Sequence, residues 1–282
     1  MKLKEIISLC NSELRQFMDA REAEAVTREI CDVVLHYDAV DMVLRADVEI
    51  HPVLADKVSG ILRRLRQGEP LQYVLGVAHF HGHNFKVTPA VLIPRPETAQ
   101  LVDIIVDDSD ERADLRVLDI GTGSGCIAIS LARALRFPQV EAIDISDAAL
   151  QVASENAAAL KVKVDFQQAD ILQMDDFGAR RYDVIVSNPP YVTESEKAAM
   201  EQNVKDHEPA EALFVPDDDP LLYYKAIVRY AAETLRSDGR LYFEVNERYA
   251  ERVAELLRIN GFSDVAVIKD SYGKQRFVKA LH

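Results

Sequence analysis

The chain has 282 residues, 48% of them hydrophobic, and carries a formal net charge of −14 with a pI near 5.0. This length and composition allow one large domain with its own core and a smaller domain beside it. The negative charge argues against a protein that binds by neutralising phosphates, and residues 1–75 hold ten Lys or Arg against thirteen Asp or Glu. We therefore expect no direct binding of nucleic acid.

No apolar run approaches the roughly 20 residues that span a bilayer, and the amino terminus has no secretory pattern. Cys10, Cys31 and Cys126 are widely spaced and odd in number. They therefore offer neither a disulfide framework nor a C-x-x-C metal or redox site. We expect a soluble, cytoplasmic protein with three buried thiols, no membrane contact and no metal.

Residues 1–75 form a first segment in which apolar side chains recur at spacings of three and four. This spacing predicts helices, and no strand pattern interrupts it. The recurring positions are Leu3, Ile6, Ile7, Leu14 and Phe17, followed by Leu54, Val58, Ile61, Leu62 and Leu65. We predict a small all-helical domain over residues 1–75.

Residues 77–93 change to an alternating pattern around the turn residues Gly82, His83 and Asn84, which predicts a β-hairpin. Prolines in and after this stretch stiffen the chain. We therefore place a hairpin linker at residues 76–96, between the helical domain and a second domain at residues 97–282.

The hairpin contains three alternating histidines, His79, His81 and His83. In a regular strand all three would face one side, as metal ligands can. No carboxylate stands nearby in the sequence to support such a site. A polar face of the hairpin, with Phe80 packed on the other side, is the better interpretation.

From residue 97 onward, helical patterns alternate with short apolar runs that predict strands. The predicted strands lie near residues 116–120, 140–144, 162–166, 182–187, 240–245, 264–268 and 276–280. This alternation predicts an α/β fold: a seven-stranded, Rossmann-like, mostly parallel sheet with helices on both faces. Ligands of such sheets bind at the carboxyl ends of the strands.

A glycine-rich turn follows the first of these strands, in the segment Gly121-Thr122-Gly123-Ser124-Gly125, and a helical run begins at Cys126. Strand, glycine turn and helix together form a cradle of the nucleotide-binding type. The dinucleotide fingerprint requires its third glycine at the position of Cys126, and no G-K-[ST] follows. Asp119, just before the glycines, would repel a pyrophosphate but would suit the ammonium group of a cofactor that carries an amino acid.

Two further acids end the next two predicted strands. Asp144 lies 23 residues after Gly121, which is where an acceptor for ribose hydroxyls belongs. Asp170 can accept a hydrogen bond from an exocyclic amine, and Ile171 can pack on a purine. Each acid alone fits a solvated strand end or a helix N-cap better. Their occurrence in sequence order with the glycines favours a binding site.

The segment Asn188-Pro189-Pro190-Tyr191 follows the apolar run at 182–186. Asn188 offers a side-chain carbonyl oxygen and Pro189 a backbone carbonyl, so two acceptors can converge on one NH₂ group. The two prolines restrict the backbone, which keeps these acceptors in place, and Tyr191 supplies a flat wall. An Asn-Pro turn that merely ends a strand is the alternative.

These motifs together carry a resemblance. D-I-G-T-G-S-G, A-I-D, Q-A-D and S-N-P-P-Y resemble the class I S-adenosylmethionine-dependent methyltransferases that modify planar nitrogens. Three further segments and one residue are similar to the release factor glutamine methyltransferases, namely Arg66–Gly76, Leu92–Thr98, Glu208–Leu213 and Glu244. The sequence departs from that family at Ala99, at Ser237-Asp238-Gly239 and at Val245-Asn246.

The resemblance implies methyl transfer from S-adenosylmethionine to the side-chain amide nitrogen of the glutamine in the Gly-Gly-Gln loop of a peptide chain release factor, a step connected with translation termination. It implies that Gly121–Gly125 cradle the methionine portion of the cofactor, that Asp144 binds its ribose, and that Asp170 and Ile171 bind its adenine. Asn188 would border both cofactor and substrate, and the helical domain would dock the substrate protein.

Three alternatives stay open at this point. The glutamine could belong to a ribosomal protein. The acceptor could be the amino group of adenine in DNA, which the negative charge disfavours. The chain could be a non-catalytic sensor of the cofactor, which has no use for the paired acceptors at Asn188 and Pro189.

Overall fold

The computed structural model describes residues 1–174, 181–199 and 202–282. These residues form two compact units. The first holds residues 1–77 and the short helix Gln202–His207, and the second holds the rest of the described chain.

The first unit is helical, as its spacing of apolar residues predicts. Five helices precede residue 77: α1 (Leu3–Leu14), α2 (Ala20–Leu35), α3 (Ala39–Leu44), α4 (Pro52–Arg66) and α5 (Leu71–Leu75). Asp19 caps α2, because its carboxylate accepts from the N–H groups of Arg21 and Glu22. The apolar faces of α1, α2 and α4 enclose one core. Phe17 is not part of it: α1 ends at Leu14, and Phe17 is 41% exposed.

The other elements follow in chain order. They are β1 (Val77–Phe80), β2 (His83–Lys86), α6 (Pro96–Asp107), β3 (Arg116–Ile120), α7 (Cys126–Ala134), β4 (Gln139–Asp144), α8 (Asp147–Leu160), β5 (Asp165–Gln168), β6 (Tyr182–Ser187), β7 (Val192–Thr193), α9 (Gln202–His207), α10 (Ala210–Leu213), β8 (Phe214–Val215), α11 (Leu222–Thr234), β9 (Leu235–Glu244), α12 (Ala250–Ile259), β10 (Ser263–Lys269) and β11 (Gln275–Leu281). Short 3₁₀ helices span Ile171–Gln173 and Glu194–Ala199.

Seven strands form one sheet in the order β10-β11-β9-β6-β3-β4-β5. The strands from β9 to β5 pair in parallel, whereas β11 pairs antiparallel with both β9 and β10. The prediction of a seven-stranded, mostly parallel sheet is therefore confirmed.

Alternate side chains of the central strands enter separate apolar cores on the two faces of this sheet. Val117 of β3 and Val184 of β6 pack with α6 and α7, whereas Leu118 and Ile185 pack with α11 and α12. Successive residues of a strand point to opposite faces, so strands covered by helices on both sides are continuously apolar.

Two strands begin three or more residues away from the predicted start. β5, the third of the predicted strands, begins at Asp165 and not at residue 162. Val162 is instead hydrogen-bonded to the end of α8, because its N–H donates to the Ala157 carbonyl. β9, the fifth of the predicted strands, begins at Leu235 and not at residue 240. Its pairing with β6 is interrupted by an irregularity between Leu235 and Arg240, and the turn-forming residues in that interval obscure the strand in the sequence.

The hairpin is present, with its turn at His81 and Gly82, whose φ angles are 45° and 77°. The sequence predicted this turn at Gly82, His83 and Asn84, so the observed turn lies earlier in the chain. Because His81 is in the turn, the three histidines do not share one strand face. Residues 78–96 belong to the second compact unit.

Each of these histidines has its own partner. His79 lies 3.1 Å from Asn84, His81 lies 3.0 Å from Asp103, and the Arg133 guanidinium donates to His83 at 3.0 Å. Within residues 1–174, 181–199 and 202–282, no three His, Cys, Asp or Glu side chains are grouped as ligands of a metal ion.

All three cysteines are free and buried, and burial raises the pKa of Cys10 to about 12 and that of Cys31 to about 11. In the part of the chain that the structure describes, no helix combines the length and apolarity needed to cross a bilayer.

Candidate active site

A cavity of about 300 Å³ opens where β3, β4 and β6 end, within the second unit. That volume is at the lower end of the range for small-molecule sites. The motifs singled out in the sequence meet here although they are spread over residues 121–190. The predicted residues that line the cavity are Gly121, Thr122, Gly123, Ser124, Asp144, Asp170, Ile171, Asn188, Pro189 and Pro190.

The glycine turn has positive φ at all three glycines. A Cβ on Gly121 or Gly123 would meet no atom within 4 Å, so these two residues leave open space beside the cavity. A Cβ on Gly125 would lie 2.9 Å from Cδ1 of Ile129 and 3.1 Å from Cβ of Ala153. Gly125 therefore packs closely against α7 and α8 and is not among the residues that line the cavity, so its contact with a cofactor stays a prediction.

Four of the five backbone N–H groups of this turn are already in use. Those of Gly121 and Thr122 donate to the Ile143 carbonyl, that of Gly123 donates to the Asp144 carboxylate, and that of Gly125 donates to the Thr122 carbonyl. A phosphate-binding turn needs such donors free. The geometry thus agrees with the glycine spacing in disfavouring a phosphate ligand.

Asp119 is fully buried beneath the turn and is not among the residues that line the cavity. Its Oδ2 accepts from the Thr122 hydroxyl at 2.7 Å and from the Ala128 N–H at 3.2 Å. Its Oδ1 has no hydrogen-bond partner among the described residues. Burial, more than the nearby Asp144 carboxylate, raises the pKa of Asp119 to about 7. Asp119 fastens the glycine turn to α7, and its contact with an ammonium group stays a prediction.

Asp144 ends β4 and faces the cavity. Its Oδ2 accepts from the Gly123 N–H at 2.8 Å and its Oδ1 from the Ser146 N–H at 2.9 Å. Burial raises the pKa of this carboxyl above its usual range. A carboxylate oxygen can accept more than one hydrogen bond, so Asp144 retains capacity for a hydroxyl donor.

Asp170 caps the 3₁₀ helix Ile171–Gln173. Its carboxylate accepts from the Leu172 N–H at 2.9 Å and from the Gln173 side chain at 2.7 Å. The N-cap considered for this residue in the sequence is therefore real. Asp170 nevertheless lines the cavity beside Ile171, which is 8% exposed, so the cap also presents a carboxylate and an apolar side chain to a ligand.

Asn188 follows β6 directly, with Pro189 and Pro190 beside it at the cavity wall. Its Nδ2 lies 3.5 Å from the Thr98 hydroxyl, to which it donates. No described group donates to its Oδ1, so that oxygen is free to accept. Tyr191 is set back from the cavity, and its hydroxyl donates to Oε1 of Glu244 at 3.3 Å. The predicted contact of Tyr191 with a substrate stays a prediction.

Several residues that build this site were given no role in the sequence analysis. Glu244 is 2% exposed at the end of β9 and accepts from the Thr98 hydroxyl at 2.7 Å. Arg95 lines the cavity and pairs with the buried Glu208 at 2.5 Å. Glu208 also accepts from the N–H of Ile93. The family resemblance pointed to Glu208 and Glu244 without a role, and Glu244, like Asp144, is also an acid at the end of a predicted strand.

The fold and this site define the chain as a methyltransferase. Residues 98–208 match the family model described as the methyltransferase small domain, and residues 7–76 match the model described as the PrmC N-terminal domain. The chain belongs to the release factor glutamine methyltransferase family. The family resemblance inferred from the sequence is thereby confirmed.

Relatives of that name match nearly end to end. The release factor glutamine methyltransferase of Bacteroides thetaiotaomicron is 44% identical over 278 residues, which cover 99% of each chain. That of Flavobacterium psychrophilum is 40% identical over 94% of each chain. That of Streptococcus pneumoniae is 35% identical over 99% of this chain and 98% of its own.

Solved structures share the fold at lower identity. A methyltransferase from Pyrococcus furiosus is 17% identical with a TM-score of 0.53, over 79% of this chain and 98% of its own. The 16S rRNA methyltransferase RsmC of T. thermophilus, solved with AdoMet and guanosine, is 20% identical with a TM-score of 0.53 over 73% of this chain and 49% of its own.

Proposed function

We propose that this chain transfers a methyl group from S-adenosylmethionine to the side-chain amide nitrogen, N(5), of the glutamine in the Gly-Gly-Gln loop of a peptide chain release factor. The observation that carries the proposal is the meeting of Asn188-Pro189 with the glycine turn at one cavity, in a chain whose relatives are named for this activity.

The charge of the cavity supports S-adenosylmethionine over NAD or ATP. Among the described residues that line it, Asp144, Asp170 and Glu211 are acidic, and the single basic one, Arg95, is paired with Glu208. Such a lining favours a ligand with ammonium and sulfonium charges and repels phosphates. When bound, S-adenosylmethionine supplies a methyl group on a positively charged sulfur, which is an electrophile that needs no metal.

The residues present fit this cofactor. Gly121 and Gly123 leave room for its methionine portion, Asp144 can accept from the ribose hydroxyls, and Asp170 and Ile171 can receive the adenine. Thr122 and Ser124 belong to the same turn, and Asp119 holds that turn in place from below.

Asn188 and Pro189 would act on the methyl acceptor. An amide nitrogen is a poor nucleophile because its lone pair is shared with the carbonyl group. If the Asn188 side-chain oxygen and the Pro189 carbonyl accept its two hydrogens, they fix its direction of approach. They also stabilise the positive charge that develops on nitrogen as the N–C bond forms. Once methylated, the nitrogen loses one proton to solvent, so no strong base is required before transfer.

Proximity would supply much of the remaining rate enhancement. Holding the reacting atoms in line can contribute on the order of 7–11 kcal/mol to lowering a barrier. Pro190 restricts the backbone after Pro189, so the acceptor groups keep their geometry without a ligand. Tyr191, whose hydroxyl is held by Glu244, would wall the substrate side.

A protein is the favoured substrate class over DNA. The net charge of −14 opposes binding to a polyanion. None of the described residues of the helical unit lines the cavity, so that unit is free to serve in recognition of a protein. A ribosomal protein glutamine is the second candidate within this class.

The test offers the purified chain four substrates with labelled S-adenosylmethionine: a release factor, the same factor with its loop glutamine replaced, a ribosomal protein and adenine-containing DNA. Mass spectrometry then locates the methyl group. We expect methylation of the loop glutamine alone. Undiminished methylation of the altered factor, or transfer to DNA, would overturn the proposal.

A further inference from the structure

Three residues from distant parts of the chain meet behind the proposed acceptor site. β6 pairs in parallel with β9, and Ser187 stands opposite Phe243. The next residues are Asn188, which directly follows β6, and Glu244, which ends β9. Thr98 lies in the first turn of α6 and lines the same cavity.

The hydrogen bonds among these residues run in one direction. The Thr98 hydroxyl has a single hydrogen, which it donates to Oε2 of Glu244 at 2.7 Å. The hydroxyl oxygen is then available only as an acceptor. The Nδ2 group of Asn188 lies 3.5 Å from it and supplies the donor.

This direction decides which end of the Asn188 amide faces the acceptor site. With its nitrogen held toward Thr98, the amide turns its oxygen away from α6. A flipped amide would place its carbonyl oxygen against a Thr98 oxygen that has no hydrogen left to offer, and would present NH₂ to an incoming NH₂ group. Both contacts are unfavourable.

Glu244 is itself held in place. Its other oxygen, Oε1, accepts from the Tyr191 hydroxyl at 3.3 Å, and its backbone carbonyl accepts from the Tyr224 hydroxyl at 3.1 Å. Thr98 is 3% exposed and Glu244 2% exposed, so water does not compete for these hydrogen bonds.

We propose that Thr98 and Glu244 are positioning residues that fix the orientation of the Asn188 amide, so that its oxygen faces the methyl acceptor. The inference rests on the acceptor role proposed above for Asn188. Neither residue touches the reacting atoms: Glu244 orients the Thr98 hydroxyl, and Thr98 orients the amide.

The primary test compares Thr98→Val with Thr98→Ser. Valine keeps the shape of threonine without the hydroxyl, whereas serine keeps the hydroxyl without the methyl group. We expect Thr98→Val to lower kcat roughly 2- to 10-fold, the range that one neutral hydrogen bond supports. KM for the release factor and the calorimetric Kd for S-adenosylmethionine should stay close to wild type. Thr98→Ser should recover most of the loss.

The Asn188→Ala background separates positioning from a general structural effect. In that background there is no amide to orient, so Thr98→Val should cause no further loss of kcat. Labelled S-adenosylmethionine keeps slow methyl transfer measurable. If Thr98→Val lowers kcat equally in both backgrounds, or has no effect in the wild type, positioning by Thr98 is rejected.

A second variant, Glu244→Gln, covers the case in which Thr98→Val does not fold. It keeps the size of the side chain but lets an NH₂ group face Thr98, so the Thr98 hydrogen can turn toward Asn188. We expect a loss of kcat that also vanishes in the Asn188→Ala background. If Asn188→Ala alone leaves turnover normal, it is the proposed role of Asn188 that fails, a result distinct from failure of the positioning inference.

Discussion

Gly123 donates its backbone N–H to Oδ2 of Asp144 at 2.8 Å, which joins the glycine turn after β3 to the acid that ends β4. The carboxylate thus has a role within the protein beside the one proposed for it in cofactor binding. It orders the turn in the absence of a ligand, which lowers the ordering cost of binding.

We expect Asp144→Ala to weaken the binding of S-adenosylmethionine by roughly 1.5–3 kcal/mol, the usual worth of a hydrogen bond to a charged group. Asp144→Asn keeps one acceptor oxygen and should lose less. Calorimetry measures both, and it also tests the ligand choice, since NAD and ATP should not bind detectably. Tight binding of NAD by the wild-type chain would contradict the cofactor assignment.

Gly125→Ala tests the packing role of the third glycine. Its Cβ would lie 2.9 Å from Ile129 at a φ of +78°, so the variant combines backbone strain with a steric overlap. Gly273→Ala is the matched control, because Gly273 has a φ of +82° but open space around it. Backbone strain alone costs about 1–2 kcal/mol. We expect the melting temperature to fall further for Gly125→Ala than for Gly273→Ala. Equal falls in melting temperature for the two variants would mean that the structure relieves the contact with Ile129 without losing stability.

Asp119 should make the stability of the protein depend on pH. Its pKa is raised by burial from 3.8 to about 7. Between these values the folded state holds a proton that the unfolded state has lost, so this group's contribution to stability falls as pH rises from about 4 to about 7. In Asp119→Asn the new side chain cannot titrate, and its amide oxygen can still accept from Thr122 and Ala128.

The melting temperature of Asp119→Asn relative to wild type should therefore rise across this pH interval and level off above it. Asp144 is present in both proteins, so the difference between the two curves reports mainly on Asp119. Asp110→Asn, on an exposed turn, controls for the loss of a negative charge at the surface. A difference that does not change with pH would show that Asp119 does not titrate in this range.

The sequence predicted three segments that line the cavity where strands end. The turn at Gly121–Gly125, the acid at Asp144 and the segment from Asn188 each follow an apolar run, and parallel strands bring their carboxyl ends to one edge. The contact of Thr98 with Glu244 joins residues 146 positions apart. No local pattern predicts such a pair, because it depends on how α6 packs against the sheet.

The points at which elements end explain two further differences from the prediction. The alternation of His79, His81 and His83 predicted a shared strand face, but the backbone turns at His81 and Gly82. Phe17 continues the helical spacing of α1, yet the helix has already ended at Leu14. In both cases the periodicity extends past the point where hydrogen bonding of the element stops, and periodicity alone does not mark that point.

Asn188→Ala should leave the affinity for S-adenosylmethionine largely intact and lower turnover by about 10²–10³, by analogy with removing one preorganised hydrogen-bonding group from an active site. The physical reason is that its Oδ1 has no donor among the described residues and is available to the nitrogen on which charge develops. Single-turnover assays with labelled cofactor measure the loss.

Asn188→Asp is the sharper comparison: it keeps an acceptor, adds a negative charge and removes the NH₂ group that Thr98 holds. The loss of turnover in Asn188→Asp should therefore differ from the loss in Asn188→Ala. Near-normal turnover of Asn188→Ala would mean that Asn188-Pro189-Pro190-Tyr191 only ends a strand.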